Sequence, residues 1–439
     1  MVMSLVRMAL TNYRCFAKRL DIELRPVTVV LGRNNSGKSA LVRAPMVFST
    51  GFRTDSPAPL DLDLIGEEIL DSFTDLIYGG RPHGSIQIDL EFNESEVVSP
   101  IPRNGPPILL NATIQHVDEY RLQIVSSLSM QVGNREARFE WEQDDPRSDE
   151  RLYTITADGE RYMHVPVRFA GLLPVETVFW KATHARPDWS VIKTLSGTIR
   201  RSLGPVRYLG PFRNRPARRY RLPARMPAEV GVTGEFSAQM LGSDFARQKG
   251  HLIRQVNKSF TKNLPGWRID VVERGGMYTV VLKSDDDKLQ VNLADTGTGV
   301  AQVLPIFVQR AFDIINPPAE GTLEIVEEPE LHLHPAAHAS LADLYLEAAR
   351  QTGVRFLIET HSETFLLRLR RRIAEGVIDP ETVAVYFVEN HDGASGARRI
   401  RLDEDGNVDY WPQGVFSEDY AETRALATAQ LDRKARDAR

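Results

Sequence analysis

The sequence has one cysteine, no long apolar run and almost no excess of charge. Cys15 is the single cysteine among 439 residues, which excludes a disulfide framework and favours a reducing, intracellular setting. No uncharged apolar stretch approaches the roughly 20 residues that a membrane-spanning helix needs. Arg7 interrupts what would be the apolar run of a signal peptide. We therefore expect a cytoplasmic protein without a membrane partner, and the 42% of hydrophobic residues excludes a mainly disordered chain.

Lysine is scarce as well, and arginine takes its place. Arginine supplies 44 of the 54 Lys and Arg residues, against 59 Asp and Glu. Nine arginines lie between Arg200 and Arg225, where no acidic residue occurs. The planar guanidinium suits phosphate and carboxylate recognition better than an ammonium does, but charged clusters are often only solvated surface. This arginine-rich segment is therefore open to two interpretations, a contact with nucleic acid or an ordinary solvated face.

The apolar pattern predicts an α/β fold whose core is split by a large insertion. An apolar run, Val27–Leu31, ends at a glycine, and strand-like and helical segments alternate from 299 to 389, which is typical of a parallel sheet flanked by helices. Between 84 and 165 the chain breaks into short strand-like pieces, which favours an antiparallel β lobe. Helical patterns cover 188–203 and 235–264. We expect five parts: 1–50 and 291–420 as the two halves of the core, 51–187 as the β-rich lobe, 188–290 as a helical, arginine-rich insertion, and 421–439 as a polar tail.

A phosphate-binding loop follows the first apolar strand. Residues 32–39 fit the pattern G-x-x-x-x-G-K-[ST] at every fixed position. Small residues allow backbone N–H groups to surround phosphates, and the following helix adds positive potential at its N-terminus. Lys38 is expected to reach the terminal phosphates and Ser39 to ligate Mg²⁺. The candidate nucleotide-binding residues are Gly32, Asn34, Asn35, Ser36, Gly37, Lys38 and Ser39.

Two adjacent carboxylates follow a second apolar strand. The segment Thr322–Val326 runs directly into Glu327 and Glu328, and a strand that ends in two acids suits a site for phosphate hydrolysis. We assign Glu327 to the magnesium shell and Glu328 to the attacking water. A polar cluster, Glu359–Ser362, follows the next strand at the edge where α/β sheets bind ligands, and it makes His361 a second catalytic candidate.

A second glycine loop precedes a helix downstream. Asp295, Thr296, Gly297, Thr298 and Gly299 open an amphipathic run, so this loop is a second helix N-terminus that can bind phosphate. The same residues also suit an ordinary capped helix start. His332 and His334 have the spacing of a metal site, but no third ligand with a defined spacing accompanies them, which disfavours that interpretation.

Taken in order, these motifs resemble those of ABC-type ATPases of the RecF and SMC class. Residues 10–16, which include Arg14, are similar to the N-terminal motif of that class, and residues 32–39 to its Walker A loop. Asp295–Gly299 resembles its signature loop, residues 327–335 its Walker B segment, and Glu359–Ser362 its switch. The OLD-like stand-alone ATPases of bacterial anti-phage defence resemble the chain most.

The resemblance implies a P-loop ABC-type core that binds ATP and Mg²⁺ between two subunits. The Walker A loop of one chain would face the signature loop of the other, so a homodimer or larger homo-oligomer is implied, and Arg14 would contact the nucleotide. The nucleotide state would control a separate effector protein, such as a nuclease, in anti-phage defence.

The sequence departs from that class in ways that leave alternatives open. Glu327 stands where the class has aspartate, which favours slow hydrolysis or an ATP-dependent scaffold with little turnover. No segment predicts coiled-coil arms or a Toprim nuclease domain, and the acidic strings at 285–287 and 403–405 are interpreted as solvated loops. The arginine-rich segment favours a RecF-like repair ATPase that binds DNA.

Overall fold

The computed structural model describes residues 3–66, 69–94, 106–148, 150–175 and 187–411, together with residues 426 and 428. The predicted polar tail therefore lies outside the described residues except for those two. The strands of the described ranges are β1 (Met3–Thr11), β2 (Leu20–Glu23), β3 (Val27–Gly32), β4 (Ser85–Glu94), β5 (Ile108–Val117), β6 (Leu122–Val132), β7 (Arg135–Trp141), β8 (Arg151–Ala157), β9 (Glu160–Ala170), β10 (Leu173–Val175), β11 (Val206–Leu209), β12 (Trp267–Arg274), β13 (Met277–Ser284), β14 (Gln290–Asn292), β15 (Leu323–Glu327), β16 (Arg355–Glu359), β17 (Val383–His391) and β18 (Ala394–Ile400). The helices are α1 (Lys38–Arg53), α2 (Trp189–Ser202), α3 (Ser237–Arg247), α4 (His251–Asn263), α5 (Thr298–Ile315), α6 (Pro335–Thr352) and α7 (Glu363–Ala374).

A six-stranded sheet lies at the centre, in the order β11-β15-β16-β3-β17-β18. Its first five strands are parallel and β18 is antiparallel to β17. Strands β3, β15 and β16 are buried along their whole length, as expected for parallel strands covered on both faces. Because these three strands are adjacent and parallel, their carboxyl ends meet at one edge of the sheet, where the phosphate loop and both acidic segments begin.

The central sheet separates two apolar cores. Val30 and Leu357 belong to the core shared with α1 and the antiparallel sheet, whereas Val29 and Ile358 belong to the core shared with α5, α6 and α7. Alternation along each strand thus directs neighbouring side chains to opposite faces. The predicted alternation of strands and helices in the second half of the chain is confirmed by these elements.

A nine-stranded antiparallel sheet has the order β10-β9-β8-β7-β6-β5-β4-β1-β2. Strand β1 pairs with both β4 and β2, so residues 1–50 supply strands to both large sheets. The sequence pattern indicated strands here but not which partners they take, because alternating burial is the same for any antiparallel neighbour.

The insertion contains both helices and strands. Strand β11 lies inside the arginine-rich segment and pairs with β15 at the edge of the central sheet. The helical pattern over 235–264 is split into α3 and α4, because Lys249 and Gly250 adopt positive φ values of 56° and 73°. A small sheet, β12-β13-β14, packs beside these helices. The two acidic strings lie at exposed turns, as predicted. None of the described helices has the length and apolar content to cross a membrane.

Candidate functional site

The phosphate loop connects β3 to α1 through two glycines whose conformation residues with a side chain rarely adopt. Gly32 has φ 156° and Gly37 has φ 104°, values that favour glycine. A Cβ atom at Gly32 would overlap the carbonyl oxygen of Val388, and one at Gly37 would overlap the Cys15 sulfur. The loop therefore packs closely against its surroundings before α1 begins at Lys38.

Lys38 points into the buried edge of the sheet. Its side chain is 4% exposed, and Nζ donates a hydrogen bond to the Arg33 carbonyl at 2.8 Å. Nζ also lies 3.8 Å from the Glu359 carboxylate. Burial lowers the pKa of Lys38, while the charge of Glu359 opposes that shift. The ammonium thus lies between the loop and the acids of the next strands.

Ser39 contacts Glu359 at the end of β16. Its hydroxyl donates a hydrogen bond to Glu359 Oε1 at 3.2 Å. Glu359 is 3% exposed, and burial, together with the charge of Glu327, raises its pKa to about 7. Its Oε2 atom has no hydrogen-bond partner among the described residues. Sequence reasoning included Glu359 in the switch cluster but gave this carboxylate no role of its own.

Glu327 accepts hydrogen bonds from two side chains. Its carboxylate accepts two hydrogen bonds from Arg43, Nε to Oε1 at 2.5 Å and Nη2 to Oε2 at 2.7 Å. The Tyr208 hydroxyl donates a third to Oε1 at 3.0 Å. Both oxygens of this buried carboxylate are therefore engaged by protein groups. Sequence reasoning gave neither Arg43 in α1 nor Tyr208 in β11 a role at this site.

The two predicted catalytic residues lie side by side. His361 Nε2 is 3.9 Å from Glu328 Oε1, and both side chains are about one-third exposed. Burial and the nearby Lys38 charge lower the pKa of His361 to about 4, so its imidazole is neutral at pH 7. Single ligand atoms of Glu328, Glu359 and His361 lie within 4.8 Å of one another. The site thus brings an accessible acid and a neutral base next to a buried carboxylate.

Arg213 fixes the end of β15, and Glu330 joins the chain after β15 to the chain after β16. Arg213 is 5% exposed and donates hydrogen bonds to the carbonyls of Glu327 at 3.0 Å and Glu328 at 3.4 Å. Glu330 Oε1 accepts hydrogen bonds from the Thr360 hydroxyl at 2.6 Å and from the His361 backbone at 2.7 Å. Glu328 has φ 44°, an unusual value for a residue with a side chain. These contacts fix where Glu328 and His361 point.

The second glycine loop lies on the surface at the start of α5. Asp295 forms a two-point ion pair with Arg218, at 2.6 and 2.9 Å, and both are exposed. Thr296 donates to the Leu293 carbonyl. Gly297 and Thr298 are exposed, and a Cβ atom at Gly297 would meet nothing within 4 Å. At Gly299 it would lie 2.8 Å from the His332 carbonyl oxygen, so this glycine packs against its own chain.

The remaining candidates have structural partners. Arg14 donates hydrogen bonds from its backbone to the Leu76 carbonyl and from Nη2 to the Ile69 carbonyl. His334 caps α6 by accepting the Ala336 N–H. In the arginine-rich segment, Arg207 pairs with Asp313 and Arg213 is buried. The other exposed arginines of the segment, besides Arg218, are Arg200, Arg201, Arg215, Arg219, Arg221 and Arg225.

Comparison with known proteins decides the family. Residues 27–368 match the family described as "AAA domain, putative AbiEii toxin, Type IV TA system". The chain belongs to this AAA-domain family. Residues 378–426 of this AAA-domain protein also match a family described as a protein of unknown function, DUF3696. No curated protein matches the chain.

Solved structures of SMC heads are similar to this AAA-domain protein. An SMC head bound to the C-winged helix domain of ScpA is 14% identical, with a TM-score of 0.50 over 91% of this chain and 98% of that one. An SMC head from Pyrococcus furiosus, with an extended coiled coil and bound to the C-terminal domain of ScpA, is 11% identical over 91% and 97%, with a TM-score of 0.48. The SMC head domain from Thermotoga maritima is 11% identical over 92% and 100%, with a TM-score of 0.43. The first likeness confirms the predicted P-loop ABC-type fold, with mixed and antiparallel sheets flanked by helices.

Proposed function

We propose that this AAA-domain protein is an ATPase that binds ATP at residues 32–39 and hydrolyses it with Glu328. One observation carries the proposal: Lys38 at the phosphate loop and Glu328 beside His361 are brought together at one sheet edge, although 290 positions separate Lys38 from Glu328 in the sequence. A phosphate group held by the loop would then lie next to an accessible carboxylate.

The chemistry assigned to these residues is the attack of water on the terminal phosphorus. Lys38 and the N-terminus of α1 hold the terminal phosphates and stabilise their charge. Glu328 accepts a proton from the attacking water, and the water oxygen forms a bond to the γ-phosphorus. The bond from the γ-phosphorus to the β–γ bridging oxygen breaks, and ADP leaves. His361, neutral at pH 7, orients that water or the γ-phosphate from the adjacent strand end.

The residues at Ser39 fit the magnesium ion that ATPases of this type use. A serine hydroxyl and a buried carboxylate lie in contact there, and hard oxygen ligands are those that Mg²⁺ prefers. When bound, the ion neutralises phosphate charge. Lys38, Ser39 and the loop amides orient the triphosphate for attack.

The surface loop 295–299 supports a composite site made by two copies of the chain. Gly297 is exposed and has φ −57° and ψ 147° with open space around it, which leaves room for a phosphate held by another subunit. The 18-residue helix that begins here adds positive potential. ATP-dependent homodimerisation follows from this arrangement.

Nucleotide affinity of Lys38→Ala tests the proposal. We expect the variant to lose ATP binding while it remains folded, because the ammonium would hold the terminal phosphates. Lys258→Ala, an exposed lysine of α4, is the matched control and should bind normally. Unchanged ATP affinity in Lys38→Ala would refute the proposal.

A second candidate function is RecF-like DNA binding through the arginine-rich segment. The exposed arginines of this segment favour DNA binding, whereas the net charge of −5 opposes it. DNA binding through these residues predicts affinity that falls steeply with salt and is lost when Arg219, Arg221 and Arg225 are changed together to Ala. Absence of binding at low salt would remove this candidate.

The biological setting stays a prediction from the resemblance alone. We propose that the nucleotide state controls a separate effector, as in OLD-like anti-phage systems. Capture of the tagged protein from its native host, with and without ATP, tests this. A nuclease bound only in the ATP state supports it, and the same proteins in both states contradict it.

A further inference from the structure

Two glutamates at the sheet edge near the phosphate loop are candidates for the carboxylate that binds magnesium with Ser39. Glu327 ends β15 and Glu359 ends β16, and the parallel register pairs them directly. Both are buried, at 2% and 3% exposure, at the edge where the phosphate loop begins. Sequence reasoning gave the magnesium to Glu327 because it ends the Walker B strand.

The side chain of Glu327 is already committed to other groups. Arg43 contacts both of its oxygens in a fork that matches a carboxylate in geometry and charge. Tyr208 donates to one of the same oxygens. Moving Glu327 to a metal would leave the Arg43 guanidinium, whose side chain is 20% exposed, without its counter-charge. Such a broken pair is costly.

Glu359, unlike Glu327, has one carboxylate oxygen that accepts no hydrogen bond from the described residues. One oxygen accepts the hydrogen bond of Ser39, the residue whose hydroxyl is expected to ligate the ion. The other oxygen is buried and has no hydrogen-bond partner among the described residues. A carboxylate oxygen left in that condition costs free energy, and a cation next to Ser39 would satisfy it.

We propose that Glu359, together with Ser39, holds the Mg²⁺ that accompanies ATP, and that Glu327 is a positioning residue locked to Arg43. The proposed magnesium ligand therefore lies at the end of β16, one strand away from the glutamate at the end of β15 that the sequence predicted. This inference rests on the proposed function, because the ion enters with the nucleotide.

Metal binding itself distinguishes the two glutamates. The probe is Mn²⁺, followed by electron paramagnetic resonance in the presence of the non-hydrolysable analogue adenylyl-imidodiphosphate. Glu359→Gln preserves shape and should weaken Mn²⁺ binding by roughly tenfold or more, while affinity for the analogue in EDTA stays unchanged. Glu327→Gln should keep the wild-type Mn²⁺ affinity and spectrum. Glu359→Asp retracts the carboxylate by one methylene group and should give an intermediate loss.

A double variant controls for loss of folding in Glu327→Gln. Glu327→Gln leaves Arg43 unpaired, so Arg43→Met/Glu327→Gln is measured beside it and should also bind Mn²⁺ normally. Loss of Mn²⁺ in both Glu327 variants with full binding in Glu359→Gln would overturn the inference and leave the ATPase proposal intact. Failure of the wild type to bind the analogue in the presence of Mn²⁺ or Mg²⁺ would instead overturn the proposed function.

Discussion

Arg43 donates hydrogen bonds to both carboxylate oxygens of Glu327, at 2.5 and 2.7 Å. This contact joins α1 to the end of β15 across 284 positions of sequence. The helix that follows the phosphate loop is therefore tied to the end of β15. The contact joins α1 to the residue that directly precedes Glu328.

Removing the guanidinium should destabilise the protein. Arg43→Met leaves a buried carboxylate without its partner, which costs about 3 kcal/mol or more in the free energy of unfolding. Chemical denaturation measures the effect. Arg53→Met, at the exposed end of the same helix, should change stability little. A stability equal to the wild type in Arg43→Met would mean that the contact is not maintained in solution.

Glu330 should act on turnover through His361. Because its Oε1 atom accepts the Thr360 hydroxyl and the His361 N–H, Glu330→Ala should lower kcat while KM for ATP stays near the wild-type value. Glu330→Gln retains an accepting oxygen and should recover much of the loss. A purely structural role predicts instead that both variants change stability and leave the kcat of the folded fraction unaltered.

Gly297 provides the cleaner test of the composite site. Gly299→Asp would collide with the His332 carbonyl of its own chain, whereas Gly297 has open space and an ordinary φ. Gly297→Asp should therefore fold and bind ATP normally, yet neither dimerise with ATP nor hydrolyse it, because it places a negative charge at a helix start facing phosphate.

Mixing subunits completes that test. Lys38→Ala chains keep an intact surface loop and Gly297→Asp chains keep an intact phosphate loop, so a mixed dimer has one complete site. Turnover of the mixture should exceed the sum of the separate variants. If it never does, each active site is completed within a single chain.

The parts of the fold and site that depend on neighbouring residues were predictable from the sequence. The run Val27–Leu31 and the glycines around Lys38 dictate a buried strand and a phosphate loop with no help from distant residues. The acidic strand end at Glu327 and Glu328 was equally plain. Each of these signals lies within about ten residues.

Contacts between distant segments were not predictable. Arg43 looked like any polar residue of an amphipathic helix, and Arg213 like a member of a charged cluster, until β11 brought that cluster against β15. The contact of Glu359 with Ser39 joins positions 320 apart. Strand order determines such pairs, and the pattern of a single strand does not contain it.

The central claim is that Glu328 activates water at the loop held by Lys38, and one measurement tests it most directly. ATP turnover and ATP-dependent mass are compared for the wild type and Glu328→Gln. We predict that the wild type releases phosphate, while Glu328→Gln binds ATP, releases none and accumulates as an ATP-bound dimer. Equal rates of phosphate release in the two proteins would contradict the account.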